Sequence, residues 1–374
     1  MKRKVTIVML LMLSLLLSAC KSECEKNGHN YSEEWTIDVE ATETNVGSKS
    51  RHCINSGCES KTDITEIPMI RYSEGLQYKL NENNDGYIVE SVGECSDAEI
   101  RIAPKYNDLP VVEIADYAFY NCELINSIEI PSSVIIIGSH ALAGCNNLQK
   151  IVIPFVGSKI NETKNAYLGY LFGAEGELEY IQNKKFVPKT LKEVKVLGGE
   201  FIKAYAFHGC SSLTKIEISS SISKIGEGAF YDCSSLETII LPFVGKELDG
   251  YNNTHFAYIF GALYDNYSGD EIPTSLKNVV ITGGKRIDDK AFYACQYISN
   301  IKLPSSVTSI GERAFESCTN LKEIFISSNV ISIGSSAFDL CDSLKIYCEA
   351  KAQPKGWDDN WNYSNCPVEW NYKK

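Results

Sequence analysis

Fourteen cysteines and five histidines are the residues with the most chemistry to offer in this 374-residue chain. Most of the cysteines fall into three groups. Cys24, Cys53 and Cys58 share a short N-terminal stretch with His29, and three thiolates plus one imidazole would suit a tetrahedral zinc ion. The Cys53-x4-Cys58 spacing is looser than a two-residue zinc knuckle, so a disulfide among these thiols is the other reading. Seven more, Cys122, Cys145, Cys210, Cys233, Cys295, Cys318 and Cys341, recur in runs with a step of 23 residues. Such regularity reads as packing, with buried thiols, before it reads as redox chemistry. Cys348 and Cys366 stand off that ladder near the C-terminus. They are expected to form a disulfide closing a loop of about 18 residues, worth about 3 kcal/mol through the unfolded state.

The histidines suggest no catalysis. No nucleophile elbow, metalloprotease motif, phosphate loop or dinucleotide fingerprint is present, so an enzyme is not expected. A formal charge of −12 argues against nucleic acid as a partner.

What positions the cysteines is a repeat. Its skeleton is Ala-Phe-x-x-Cys-x-x-Leu-x-x-Ile-x-Ile/Leu-Pro, seen whole from Ala229 to Pro242. Phe207 and Phe230 keep the 23-residue step, as do Phe292, Phe315 and Phe338. Alternating Ile-x-Ile segments predict one short strand per unit, each adding to a parallel sheet. A fixed period of this length predicts a leucine-rich-repeat solenoid, which grows in one dimension and buries its core only by stacking. The expected fold is mainly β with short helices, about ten coils long and capped at both ends.

The run Leu303 to Cys318 resembles the BspA-like leucine-rich repeats of bacterial surface proteins, on the pattern Ile-Pro-Ser-Ser-Val-x-x-Ile-Gly-x-x-Ala-Phe-x-x-Cys with Leu in first place. The resemblance covers about residues 75 to 374. It implies a surface-tethered binding protein of the adhesin kind, and it supplies no catalytic residues.

The ends follow other rules. Lys2, Arg3 and Lys4 precede the apolar run Val5 to Leu17, and Leu17-Ser18-Ala19-Cys20 resembles a lipobox. Cys20 would then carry a lipid, placing the chain outside the cytoplasm on a membrane anchor. Residues 1–20 are thus a lipoprotein signal and 21–68 a small Cys/His module, whose Cys24-to-Cys58 run resembles one found in extracellular proteins of gut-type Gram-positive bacteria. Residues 69–93 read as a hairpin cap, 94–346 as the solenoid and 347–374 as a Trp-rich cap, with a carbohydrate platform the alternative for its three tryptophans.

Two coils carry insertions, near 155–187 and 243–272, related by an 88-residue step: Leu171-Phe172-Gly173-Ala174 recurs as Ile259-Phe260-Gly261-Ala262. Insertions on solenoids gather on one face, often the binding face. They either fold back across the sheet or pack on its flank. Folding back would make a groove beside Lys195, Glu217 and Lys302, with Tyr167, Tyr170 and Tyr258 as further ligand contacts. The leading expectation is a monomeric, surface-anchored, non-enzymatic binder of extracellular protein or glycan. A structural spacer displaying the N-terminal module is the alternative, and an extracellular hydrolase a weaker one. No cofactor is expected beyond a structural zinc in 21–68.

Overall fold

Leu-x-x-Ile-x-Ile segments send every second side chain to one side, and in isolation such a strand would leave its apolar row in water. Stacking removes that cost. In the computed structural model, which describes residues 24, 28–32, 35–55, 58–175, 183–251, 254–262 and 268–373, the repeat winds into a solenoid of about twelve turns. Its long parallel sheet has eleven strands, running in chain order from Glu99–Arg101 to Val368–Trp370. The last of these extends the sheet beyond the coil that ends at Ile346, so the solenoid is longer than the ten coils expected. The chain divides into two units, residues 1–71 with 373–374, and residues 72–372.

Register holds the core of the second unit together. Ile151 pairs with Val194, Val194 with Ile216, and Ile216 with Ile239, all pointing inward and at most 2% exposed. Burying such a side chain contributes roughly 1.5–3 kcal/mol. Short return strands such as Ser309–Ile310 and Ser332–Ile333 cross the opposite side. The glycine of each Ile-Gly pair is required there, since a Cβ on Gly226 would sit 2.2 Å from the backbone nitrogen of Ala204.

The Ala-Phe turns form a third column. Residues on both sides of each pair adopt the left-handed conformation, for example Lys290 (φ 53°) and Ala294 (φ 54°) around Ala291-Phe292. Their phenylalanines stack at nearly constant spacing: 5.3 Å for Phe207–Phe230 and 5.2 Å for both Phe292–Phe315 and Phe315–Phe338.

The described residues of the insertions join this column. Each contains a 3-10 turn, Leu168–Phe172 or Phe256–Phe260, closed by a left-handed glycine, Gly173 or Gly261. Phe119 donates its amide to the Ala141 carbonyl one coil on, and Leu142 donates in the same way to Leu171. Leu168 and Phe256 donate in turn to Ala206 and Ala291. Each 3-10 turn is therefore a widened Ala-Phe turn. Phe256 and Phe260 carry the ring stack across the gap, 5.1 Å from Phe292 and 6.2 Å from Phe230. The insertion residues 176–182, 252–253 and 263–267 lie outside the described residues.

Both ends are closed. β-hairpin strands Gln77–Leu80 and Tyr87–Ser91 pair antiparallel, and the second continues parallel onto Leu109–Ile114. At the other end Trp357 and Trp361 are buried against each other, with ring centroids 4.8 Å apart. The disulfide expected between Cys348 and Cys366 is not formed. Cys366 lies on the cysteine ladder after all, its sulfur 3.6 Å from the carbonyls of Phe338 and Cys341, while Cys348 points inward from the strand Lys345–Cys348.

The first unit is a three-stranded antiparallel sheet, Thr36–Val39, Gly47–His52 and Lys61–Ile67. Among the described residues no helix is long and apolar enough to cross a membrane. Cys20 and the rest of residues 1–23 lie outside the described residues.

Candidate functional site

Three backbone contacts bring the N-terminal thiols together. Tyr31 bridges Cys53 at the end of the central strand, Ile54 donates to the Asn30 carbonyl (2.8 Å), and Cys58 donates to Asn55 (3.0 Å). The chain thus turns back on itself beside His29. Nδ1 of His29 lies 3.4 Å from Sγ of Cys58, and the Asn55 side-chain amide donates to Sγ of Cys24 at 3.2 Å. The four donor atoms of Cys24, His29, Cys53 and Cys58 all lie within 4.8 Å of one another. Burial works against ionising Cys53, yet the Asn55 backbone amide and His29 bring its thiol down to about 7. Cys58 goes the other way. Despite a lowering hydrogen bond from the Ser60 backbone, burial and the sulfurs of Cys24 and Cys53 push it up to about 11. The other imidazole of this unit, His52, is engaged elsewhere, 2.7 Å from Asp38. Lys61, Ser50 and His52 together hold the Asp38 carboxyl well below the usual range.

The outward face of the long sheet is the second site. Arg101 pairs with Glu129 (2.9 Å) and Lys195 with Glu217 (2.6 Å), each pair on adjacent strands. These ions neutralise one another. Ile240 and Val280 then separate Glu217 from Lys302 along the row. Beyond Lys302 the face turns aromatic: Phe325 stacks on Tyr347 at 4.9 Å and 11°, and Tyr372 lies 4.6 Å from Tyr347. All three rings are half-buried. Lys345 Nζ stands 4.6 Å over the Tyr347 ring and 2.8 Å from Glu369.

Several expected contacts do not belong to this face. Tyr167 and Tyr258 are buried in the widened turns, and the Tyr167 hydroxyl donates to the Ala174 carbonyl at 2.7 Å. Tyr170 lines a separate groove of about 660 Å³ with Lys79, Glu113 and Asp116, on the side of the return strands. Of the three, Tyr258 joins the hydrophobic core, beside Phe256 and Phe260, which continue the phenylalanine stack. Lys195 and Glu217 do meet, whereas Lys302 stands three strands from Glu217.

Comparison with known proteins places the repeat. Six copies of the BspA type leucine rich repeat region match residues 107–168, 173–259 and 272–351. The chain belongs to the BspA type leucine rich repeat family. Among solved structures it is similar to a leucine rich repeat protein of T. pallidum, at 24% identity and TM-score 0.25, covering 72% of this chain and 88% of that one. It is also similar to one from Bacteroides ovatus, at 19% and 0.29, covering 81% and 99%. A leucine rich cell surface protein from Faecalibacterium prausnitzii matches at 21% and 0.26, covering 82% and 96%. No curated protein matches the chain.

Within the BspA type repeat, the aromatic end was partly hidden from sequence reading. Phe325 falls at the outward position of Ile324-Phe325-Ile326, and Tyr347 holds the same place in Ile346-Tyr347-Cys348. Comparing those two coils would have found the pair. Tyr372 has no such signal, since it arrives by a chain reversal in which its amide donates to the Cys348 carbonyl at 2.9 Å.

Proposed function

We propose that this BspA type protein is a non-enzymatic binding protein, lipid-anchored through Cys20 outside the cytoplasm, whose sheet face docks an extracellular protein or glycan. The observation that carries the reading is the Phe325–Tyr347–Tyr372 cluster. A solvated sheet face gains little by clustering three rings half in water at one end, when Arg101–Glu129 and Lys195–Glu217 further along the row carry paired ions and only single aliphatic side chains interrupt it. Lys302, Lys345 and Glu369 beside the rings supply polar groups that fix a partner's orientation.

One constellation speaks to the hydrolase alternative. Ser139 Oγ lies 2.7 Å from Nδ1 of His140, and Glu175 approaches both. A triad orients its imidazole through the nitrogen that does not face the nucleophile. Here Glu175 and Ser139 share Nδ1, so the arrangement favours a surface hydrogen-bond cluster over an acyl-transfer site.

The test is a glycan array and a panel of extracellular-matrix proteins probed with the purified chain from residue 21 onward. A ligand is expected, with binding lost in Phe325→Ser/Tyr347→Ser and kept in Tyr251→Ser, whose ring is 85% exposed. Equal binding by all three chains rejects the ring cluster as the contact, and no ligand on either panel favours the spacer.

A further inference from the structure

The first unit has almost nothing to hold it together. Among its described residues Cys53 is the only hydrophobic side chain that is buried, while Trp35, Ile37, Val39 and Ile64 are exposed. A three-stranded sheet of this size with one apolar face in water is marginal alone. Natural domains this small add a disulfide or a metal. Among the described residues, the one buried hydrophobic side chain belongs to the thiol–imidazole cluster, so the staple and the cluster coincide.

A disulfide explains the cluster poorly. It would use two sulfurs and leave a third thiol and an imidazole converging for no reason, whereas four donors within 4.8 Å of one another fit a common centre. Tetrahedral zinc sits about 2.3 Å from sulfur and about 2.0 Å from nitrogen, which brings neighbouring donors to within about 4 Å of each other. Soft thiolates with one imidazole select zinc over hard oxygen-seeking cations. The Asn55 amide on Cys24 supplies the hydrogen bond to a ligand sulfur that outer partners of metal sites provide. We propose that Cys24, His29, Cys53 and Cys58 bind one zinc ion in a closed structural site that folds the first unit. Four protein donors leave no open position for a substrate, so the ion stabilises and does not catalyse. This inference stands apart from the docking face.

Metal analysis of the purified chain from residue 21, reduced and then loaded with zinc and desalted, tests it. About one zinc per chain is expected, absent from His29→Ala and Cys58→Ser and unchanged in Cys145→Ser, which removes a ladder thiol. Because the first two variants could lose zinc by unfolding, cobalt loading of wild type and His29→Cys supplies a gain of signal. Both should show tetrahedral d–d bands, with the thiolate charge-transfer band stronger in His29→Cys. Less than about a tenth of a zinc per chain, iron in its place, an octahedral cobalt spectrum, or a disulfide joining any two of Cys24, Cys53 and Cys58 in the zinc-loaded chain would each overturn the site.

Discussion

The thiol of Cys341 donates to the carbonyl of Phe315, one coil back, at 3.0 Å. The same contact recurs from Cys145 to Phe119 (3.1 Å), Cys233 to Phe207 (3.2 Å) and Cys318 to Phe292 (3.1 Å). Each thiol thus fills a small apolar space and adds a second hydrogen bond to a carbonyl that already accepts the amide of the cysteine in its own coil. Truncating Cys233 to Ala removes both, and a loss of about 1–2 kcal/mol is expected in chemical denaturation. Alkylation of the native chain near neutral pH should spare these four cysteines.

Burial pushes the Cys145, Cys233 and Cys318 thiols up, Cys145 to about 12, while the unfolded chain ionises near 9. The sign follows from proton counting: above pH 9 the unfolded state binds fewer protons than the native one, so stability falls as pH rises. Their contribution is complete below that pH and is lost towards the folded-state value. Melting temperature should therefore decline beyond pH 9, and less steeply in Cys145→Ala/Cys233→Ala than in wild type.

Ala294 holds φ 54°, a conformation that glycine adopts at no steric cost. Ala294→Gly is expected to raise stability by about 0.5–1 kcal/mol, and Ala294→Val to lower it by more. Thermal melts of the two variants check the order.

Phe256 is fully buried at the junction of the widened turn and the next coil. Phe256→Ala should cost about 3–5 kcal/mol, as much as Phe292→Ala. Tyr251→Ala, a few residues away and exposed, should change stability by less than about 0.5 kcal/mol. For the same reason, deleting 155–187 or 243–272 should unfold neighbouring coils. Limited proteolysis would detect that.

The coils were legible because a strict step of 23 residues puts Phe230, Cys233, Leu236 and Ile239 at fixed places. The insertions were not, because Leu168 and Leu171 divide between two residues the hydrogen bonds that an Ala-Phe pair makes in other coils, and that breaks the step. Cys366 was misplaced for a similar reason: it follows Cys341 by 25 residues instead of 23, yet its sulfur still reaches the ladder carbonyls. For Cys24, His29, Cys53 and Cys58 the sequence supplied the donor types. Only folding of the strand ends showed that all four donors converge, which spacing alone could not distinguish from a disulfide.

Hydroxyl-radical footprinting of the chain, free and bound to its tightest array component, tests the docking face most directly. Oxidation of Phe325, Tyr347 and Tyr372 should fall at least several-fold on binding, with Tyr117, Tyr120 and Tyr251 unchanged. Protection of Tyr117, Tyr120 or Tyr251 with the sheet-face rings unaffected would contradict it.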